Sequence, residues 1–343
     1  MTIALTDLLP DEIAAVLCVK PYQGKQIFQW MHRRSVFDPQ AMTDLPKDLR
    51  RRIAEQATVP LIERADAACS MRVADAQKAL FRLKDGETIE SVLLRDRNRV
   101  TVCVSTQAGC ALKCVFCATG LSGFTRNLSP GEIAEQVTHL LAEENLGGTS
   151  PNIVYMGMGE PFRNYDAVMK SIRLLMAPEG WRIGARKITV STAGDVDGIR
   201  KFAAENWQVR LSVSLHAAND ALRSKLVPLN RVFPIDAIIE AVRDYQSVTG
   251  RQVTIEWTLM QDINDSLRDA QELAALLRGL KASVNVIPLN PVTGVDFKPP
   301  SFERCREFQA ALVKQGIAAT LRRERGQEID AACGQLRRRR HDA

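Results

Sequence analysis

From about residue 98 onward, β-branched runs alternate with helical stretches, and this alternation limits the fold more than any other feature. "RVTVCVST", "NIVYMG", "KITVST", "VRLSVSLH", "VTIEWTLM" and "SVNVIPLN" read as strands, with a final one at "AATLRRE". "SPGEIAEQVTHLLAEEN", "YDAVMKSIRLLM", "PIDAIIEAVRDYQSV" and "SLRDAQELAALLRGL" read as helices between them. Several strands are apolar on both faces, as buried parallel strands are. Six such βα repeats imply an α/β fold, an open or partly closed barrel. Ligands of such folds sit at the carboxyl ends of the strands. Upstream, residues 1–75 read as a helical domain, with "DEIAAVL", "GKQIFQWMHRR" and "DLPKDLRRRIAEQA" at helical spacing. Residues 76–97 read as a β-hairpin extension around the turn Lys84-Asp85-Gly86-Glu87. The barrel core is expected over 98–325, and a C-terminal loop with a basic tail over 326–343. No internal repeat or low-complexity segment interrupts this plan.

Four of the eight cysteines fall between Cys103 and Cys117, and Cys110, Cys114 and Cys117 are spaced C-x3-C-x2-C. The first residues have no basic segment ahead of an apolar run, and no uncharged apolar run is long enough to span a bilayer. The expectation is a cytoplasmic protein with no membrane partner. In that compartment clustered cysteines are metal ligands or catalysts rather than structural disulfides. Zinc in a structural site wants four ligands, and Cys103 is a candidate fourth. A [4Fe-4S] cluster can be held by three cysteines with one iron left open. Cys103 lies within a strand whose geometry fixes its direction, which favours the three-cysteine cluster. A zinc site and a buried structural group stay open at this point. The net charge of +6 is compatible with an anionic partner without establishing one.

With Phe116 just before its last cysteine, the motif resembles that of the radical S-adenosylmethionine (SAM) superfamily. "GMGEP" from Gly157, "STAG" from Ser191, "SLHAAND" from Ser214, "IPLNP" from Ile287 and "IDAACGQL" from Ile329 follow in order. Together they resemble the RlmN/Cfr family of RNA adenine methyltransferases over nearly the whole chain. The resemblance implies a partial (β/α)6 radical SAM barrel. It implies a [4Fe-4S] cluster on Cys110, Cys114 and Cys117, and two SAM per turnover. It places Gly159, Glu160, Ser191, Ser214, Leu215, His216 and Asn290 at the SAM pocket. Without it, Ser191 and Asn290 would read as caps or turn residues and His216 as an interior histidine.

Carbon 2 of adenine is electrophilic, so ordinary methyl transfer to a nucleophile fails there and a radical route is reasonable. The resemblance implies that Cys333 carries a methyl group, which becomes a methylene radical and adds to the base. Cys103 then attacks Cys333 and leaves a transient Cys103–Cys333 disulfide, and Glu90 is the proton acceptor. Read alone, Cys333 would be an idle thiol and Glu90 a solvated hairpin carboxylate. The implied substrates are 23S ribosomal RNA and, in some members, the adenosine 3′ to a tRNA anticodon. An electron donor such as flavodoxin is implied as well. The chain is expected to be a monomer. "GMGEP" and "RGQEIDAACGQL" lie nearer the carbon-2 branch than the Cfr-type carbon-8 branch. A radical SAM activase or lyase would have no use for Cys103 and Cys333, and a zinc-containing RNA-binding module is the remaining alternative. The arginines of "RRERGQEIDAACGQLRRRR", above all Arg337 to Arg340, suit RNA phosphates, and "MHRR" and "DLRRRIAEQ" offer a second basic surface. Cys18, Cys69 and Cys305 match no motif and read as structural.

Overall fold

A computed structural model describes residues 2–65, 71–73, 75–97, 99–142, 144, 146, 150–322, 329–330 and 332–336. Cys69 and Arg337 to Arg340 lie outside the described residues.

Nine strands carry the architecture. β1 (Ala76–Leu83) and β2 (Thr88–Asp96) form the hairpin. β3 (Arg99–Cys103), β4 (Asn152–Tyr155), β5 (Ile188–Thr192), β6 (Arg210–Ser214), β7 (Val253–Leu259), β8 (Ala282–Pro288) and β9 (Ala318–Leu321) follow. β3 to β9 lie side by side in chain order, and each neighbouring pair is parallel. Each crossover carries helix; the longer ones include Pro130–Leu141, Tyr165–Met176, Ile235–Thr249 and Phe302–Lys314. Local chemistry sets their ends. Ser129 and Glu132 form a reciprocal capping box with Pro130 in the first turn, Ser266 and Asp269 form another at Leu267–Leu276, and Gly250 ends its helix in the left-handed region. The six repeats read from the sequence are all present.

Two elements gain detail. The hairpin extends the core sheet: β2 pairs antiparallel with β3, Val92 opposite Cys103, so hairpin and core are one eleven-stranded sheet. The N-terminal segment is helical only to Gln56. Beyond it Ala57–Thr58 pairs with Ile3–Ala4, while Ile62–Arg64 and Met71–Val73 add to β1. Buried Glu135 makes this junction. Its carboxylate accepts from the Thr6 hydroxyl at 2.5 Å, Leu61 N–H at 2.9 Å and Ile62 N–H at 3.0 Å.

The parallel run does not close into a ring. Among the described residues no ladder joins β9 to β3. Instead Arg99 and Thr101 of β3 and Thr320 and Leu321 of β9 line one cavity of about 460 Å³. Among the described residues no helix is long and apolar enough to cross a membrane.

Candidate active site

A short ribbon sets the cysteine loop. Gln107–Gly109 pairs antiparallel with Phe124–Asn127, and Cys110 N–H donates to Gly123 O at 2.9 Å. Gly109 turns at φ +82, where an added Cβ would strike Gly123 O. The loop so tied turns its cysteines inward, and Cys110, Cys114 and Cys117 line one cavity of about 170 Å³. Burial, and then the neighbouring thiols, push Cys110 up to about 12 and Cys114 well above the usual thiol range. Thiolates crowded together on one cavity need strong positive charge to exist there. Three thiols on one cavity suit a cluster that takes three cysteine ligands, and Cys103 is not among the residues lining this cavity.

Gly159, Glu160, Ser191, Ser214 and His216 line the same cavity from the carboxyl ends of β4, β5 and β6. Gly159 has φ +102, and a Cβ there would stand 2.6 Å from Gln107 Cβ. Glu160 is buried, and its carboxylate accepts from Ala193 N–H at 2.8 Å and Phe162 N–H at 3.2 Å. Burial, only partly offset by these bonds, raises it to about 7, so an ammonium group in the cavity would be its natural counter-charge. His216 sits at φ +62, an uncommon backbone for a residue with a Cβ. Its Nδ1 accepts from Thr258 N–H at 3.0 Å, and burial holds it at about 3, so the ring is neutral and its Nε2 carries the proton. Phe116 packs edge-on against the ring, centroids 4.9 Å apart. Leu215 and Asn290 do not line this cavity. The Leu215 side chain is buried in the core, and the Asn290 amide donates to Cys333 O at 3.1 Å.

Arg223 was not singled out by the sequence. Fully buried, it donates to Leu215 O at 3.0 Å, Asn230 Oδ1 at 2.8 Å, Ala193 O at 2.5 Å and Ser214 O at 3.2 Å. One guanidinium thus fixes the carboxyl ends of β5 and β6.

Cys103 and Cys333 face a second cavity, of about 240 Å³, adjoining the first through Arg322 and Cys333. The segment that bears Cys333 is docked. Ala118 N–H donates to Gly334 O at 2.8 Å, Thr119 hydroxyl to Leu336 O at 2.5 Å, Gln335 amide to Pro291 O at 2.9 Å and Lys78 Nζ to Asp330 O at 3.2 Å. Arg322, grouped with the phosphate-binding arginines, turns inward instead, and its Nη1 lies 3.0 Å from Cys333 Sγ. Glu90 is not solvated. It is 1% exposed, Lys78 Nζ lies 3.6 Å from its Oε1, and it lines neither of these cavities. Of the unassigned cysteines, Cys305 is buried in the core, whereas Cys18 is exposed, so the structural reading holds for Cys305 and not for Cys18.

Residues 104–274 match the radical SAM superfamily, and residues 11–59 match the ribosomal RNA large subunit methyltransferase N-terminal domain. A protein of Heliobacterium modesticaldum named probable dual-specificity RNA methyltransferase RlmN is 48% identical over 346 residues, covering 97% of this chain and 89% of that one. Its namesake in Moorella thermoacetica is 46% identical over 347 residues, covering 98% and 97%. The crystal structure of a radical SAM methyltransferase from Sphaerobacter thermophilus superposes with a TM-score of 0.93 at 48% identity, covering 98% of this chain and 99% of that one. Motifs, architecture and relatives agree, and the chain belongs to the RlmN family of radical SAM RNA methyltransferases, which work with a [4Fe-4S] cluster and SAM.

Proposed function

We propose that this enzyme methylates carbon 2 of an adenosine in 23S ribosomal RNA, and the adenosine 3′ to the anticodon of some tRNAs, with Cys333 carrying the new carbon and Cys103 releasing it. The observation that carries this reading is the shared cavity of Cys103 and Cys333, adjoining the one lined by Cys110, Cys114, Cys117 and Glu160. Bound there, the cluster and SAM supply an electron, a methyl group and a hydrogen-abstracting radical.

The chain's own residues do the rest. Glu160 binds the positive amino group of SAM, and Ser191, Ser214 and His216 orient the remainder. Cys333 Sγ holds the transferred carbon and joins it to the base. Glu90 takes the ring proton as the base radical formed by the addition gives up one electron, which a bound cluster would take back. Cys103 Sγ, as thiolate, then attacks Cys333 Sγ. A sulfur–sulfur bond forms and the sulfur–carbon bond breaks. Its electron pair stays with the carbon, which takes a proton and leaves as methyl. An external reductant of the flavodoxin type resets the thiols. The curated relatives named dual-specificity RNA methyltransferase support RNA of both kinds as substrate.

The test is anaerobic turnover with ribosomal RNA and tRNA, followed by nucleoside mass analysis. 2-Methyladenosine is expected, and 8-methyladenosine would overturn the assignment of the carbon. Cys103→Ala should form a covalent RNA–protein adduct through Cys333 that survives denaturation and is destroyed by ribonuclease. Release of methyladenosine by that variant at the parent rate would refute the two-cysteine reading.

A further inference from the structure

Arg322 follows β9 directly, and its N–H donates to Val286 O at 2.8 Å, which fixes the residue at the carboxyl end of the sheet. From there the side chain reaches into the interior rather than toward solvent. Its Nη1 lies 3.0 Å from Cys333 Sγ. It also lines the cavity that holds Cys103. Among the described residues, the ionisable groups facing that cavity are Cys103, Cys117, Cys333 and Arg322. Cys117 belongs to the proposed cluster ligands, which leaves two thiols and one cation. Glu256 of β7, which accepts from Asn285 Nδ2 at 2.7 Å, lines the adjoining cavity with Arg322 and is the carboxyl group acting on it.

We infer that the Arg322 guanidinium serves the two thiols in turn, holding the Cys333 thiolate first and passing to Cys103 once Cys333 has become a neutral thioether. This rests on the two-cysteine reading above. One guanidinium cannot neutralise two thiolates sharing a small cavity, and two such anions repel. The electrostatics agree with that order. Burial first and then the Cys333 charge push Cys103 up to about 12, while Arg322 pulls it down. For Arg322 itself, Cys333 is the largest cause raising its affinity for its proton.

Alkylation of Cys333 changes two things for Cys103 together. The repelling charge disappears, and the cation is released from its partner. Cys103 therefore becomes a nucleophile when there is an adduct to resolve, and stays a protonated thiol before that. Arg322 touches a reacting sulfur, so it acts as a catalytic residue and not only as a support.

The experiment measures iodoacetamide alkylation of each thiol by peptide mass analysis. It uses cluster-loaded full-length protein without SAM or RNA, from pH 6 to 10. Cys333→Ser imitates the neutral, loaded state with little change of shape. In it, Cys103 should react about tenfold faster at pH 8 than in the parent, with its pH midpoint moved down by about one unit. Adding Arg322→Gln to Cys333→Ser should remove that gain, and Arg322→Lys should restore part of it. In the otherwise native chain, Arg322→Gln should slow alkylation of Cys333 about tenfold.

A Cys103 midpoint that is the same in the parent and in Cys333→Ser would overturn the handover. So would a Cys333 rate that ignores Arg322→Gln. If Arg322→Gln fails to hold the cluster, the parent and Cys333→Ser still decide, because both keep Arg322. If Cys103→Ala traps its RNA adduct while these profiles stay flat, only the handover is lost. If Cys103→Ala turns over at the parent rate, it is the two-cysteine reading that has failed.

Discussion

Lys78 and Glu90 face each other diagonally across the hairpin, Nζ to Oε1 3.6 Å, and each is 1% exposed. A buried pair of this kind stabilises little over an apolar pair, but removing one member strands a charge at a cost of about 3–5 kcal/mol. Lys78→Met should therefore lower stability to chemical denaturation by that order, and the double change with Glu90→Gln should recover part of it. Because Lys78 also donates to Asp330 O, the single change should speed hydrogen exchange over 329–336. A loss under about 0.5 kcal/mol with unchanged exchange would show that the pair anchors nothing.

Replacing any of Cys110, Cys114 or Cys117 by alanine should remove most iron and acid-labile sulfide from anaerobically purified protein, together with SAM cleavage. Iron and sulfide assays check this. Zinc without sulfide in the parent would count against the cluster, as would full cluster absorbance in any of the three variants.

Arg223 offers a test of how the cavity proposed for SAM is held open. Arg223→Lys keeps the charge but cannot reach four acceptors at once. It should fold, retain iron and bind SAM about tenfold more weakly, by the loss of one to two charge-assisted hydrogen bonds. Equilibrium dialysis against labelled SAM measures this. Unchanged affinity would mean that the strand ends need no such tie.

Glu135 makes the stability depend on pH. Burial raises it from 4.5 to about 7 although three donors point at it. The folded chain then keeps a proton that the unfolded chain gives up above 4.5. Its contribution is complete below pH 4.5 and lost as pH rises through 7, on the order of 1–3 kcal/mol. Glu135→Ala should be less stable throughout but flatter between pH 5 and 8 in chemical denaturation. An equal slope in both proteins would assign the pH dependence elsewhere.

What was legible in the chain follows from the range of the interactions. β3 to β9 could be read because buried parallel strands are apolar on both faces and their helices carry capping residues. The cysteine loop could be read because its three thiols stand close together in sequence. Lys78, Arg223 and Arg322 could not, since a single cation has no periodicity and no motif marks its partners. Arg322 was misread for a further reason, because it opens a basic run in the sequence. Glu90 looked solvated because a hairpin ordinarily has one wet face. Here the hairpin is covered on both sides, by the helix Pro130–Leu141 through Gln136 and Ser91 of β2 and by Asp330 through Lys78 of β1.

The seam between β3 and β9 has a thermodynamic consequence. Ala332 and Cys333 line the cavity at this seam, so a base brought to Cys333, as proposed above, would compete with the chain for that space. Whatever free energy Asn290, Gln335, Thr119 and Lys78 invest in docking this segment is subtracted from the apparent affinity for RNA. Weakening those contacts should therefore tighten RNA binding even where it harms turnover, and the strength of the docking sets the lowest RNA concentration at which the enzyme responds.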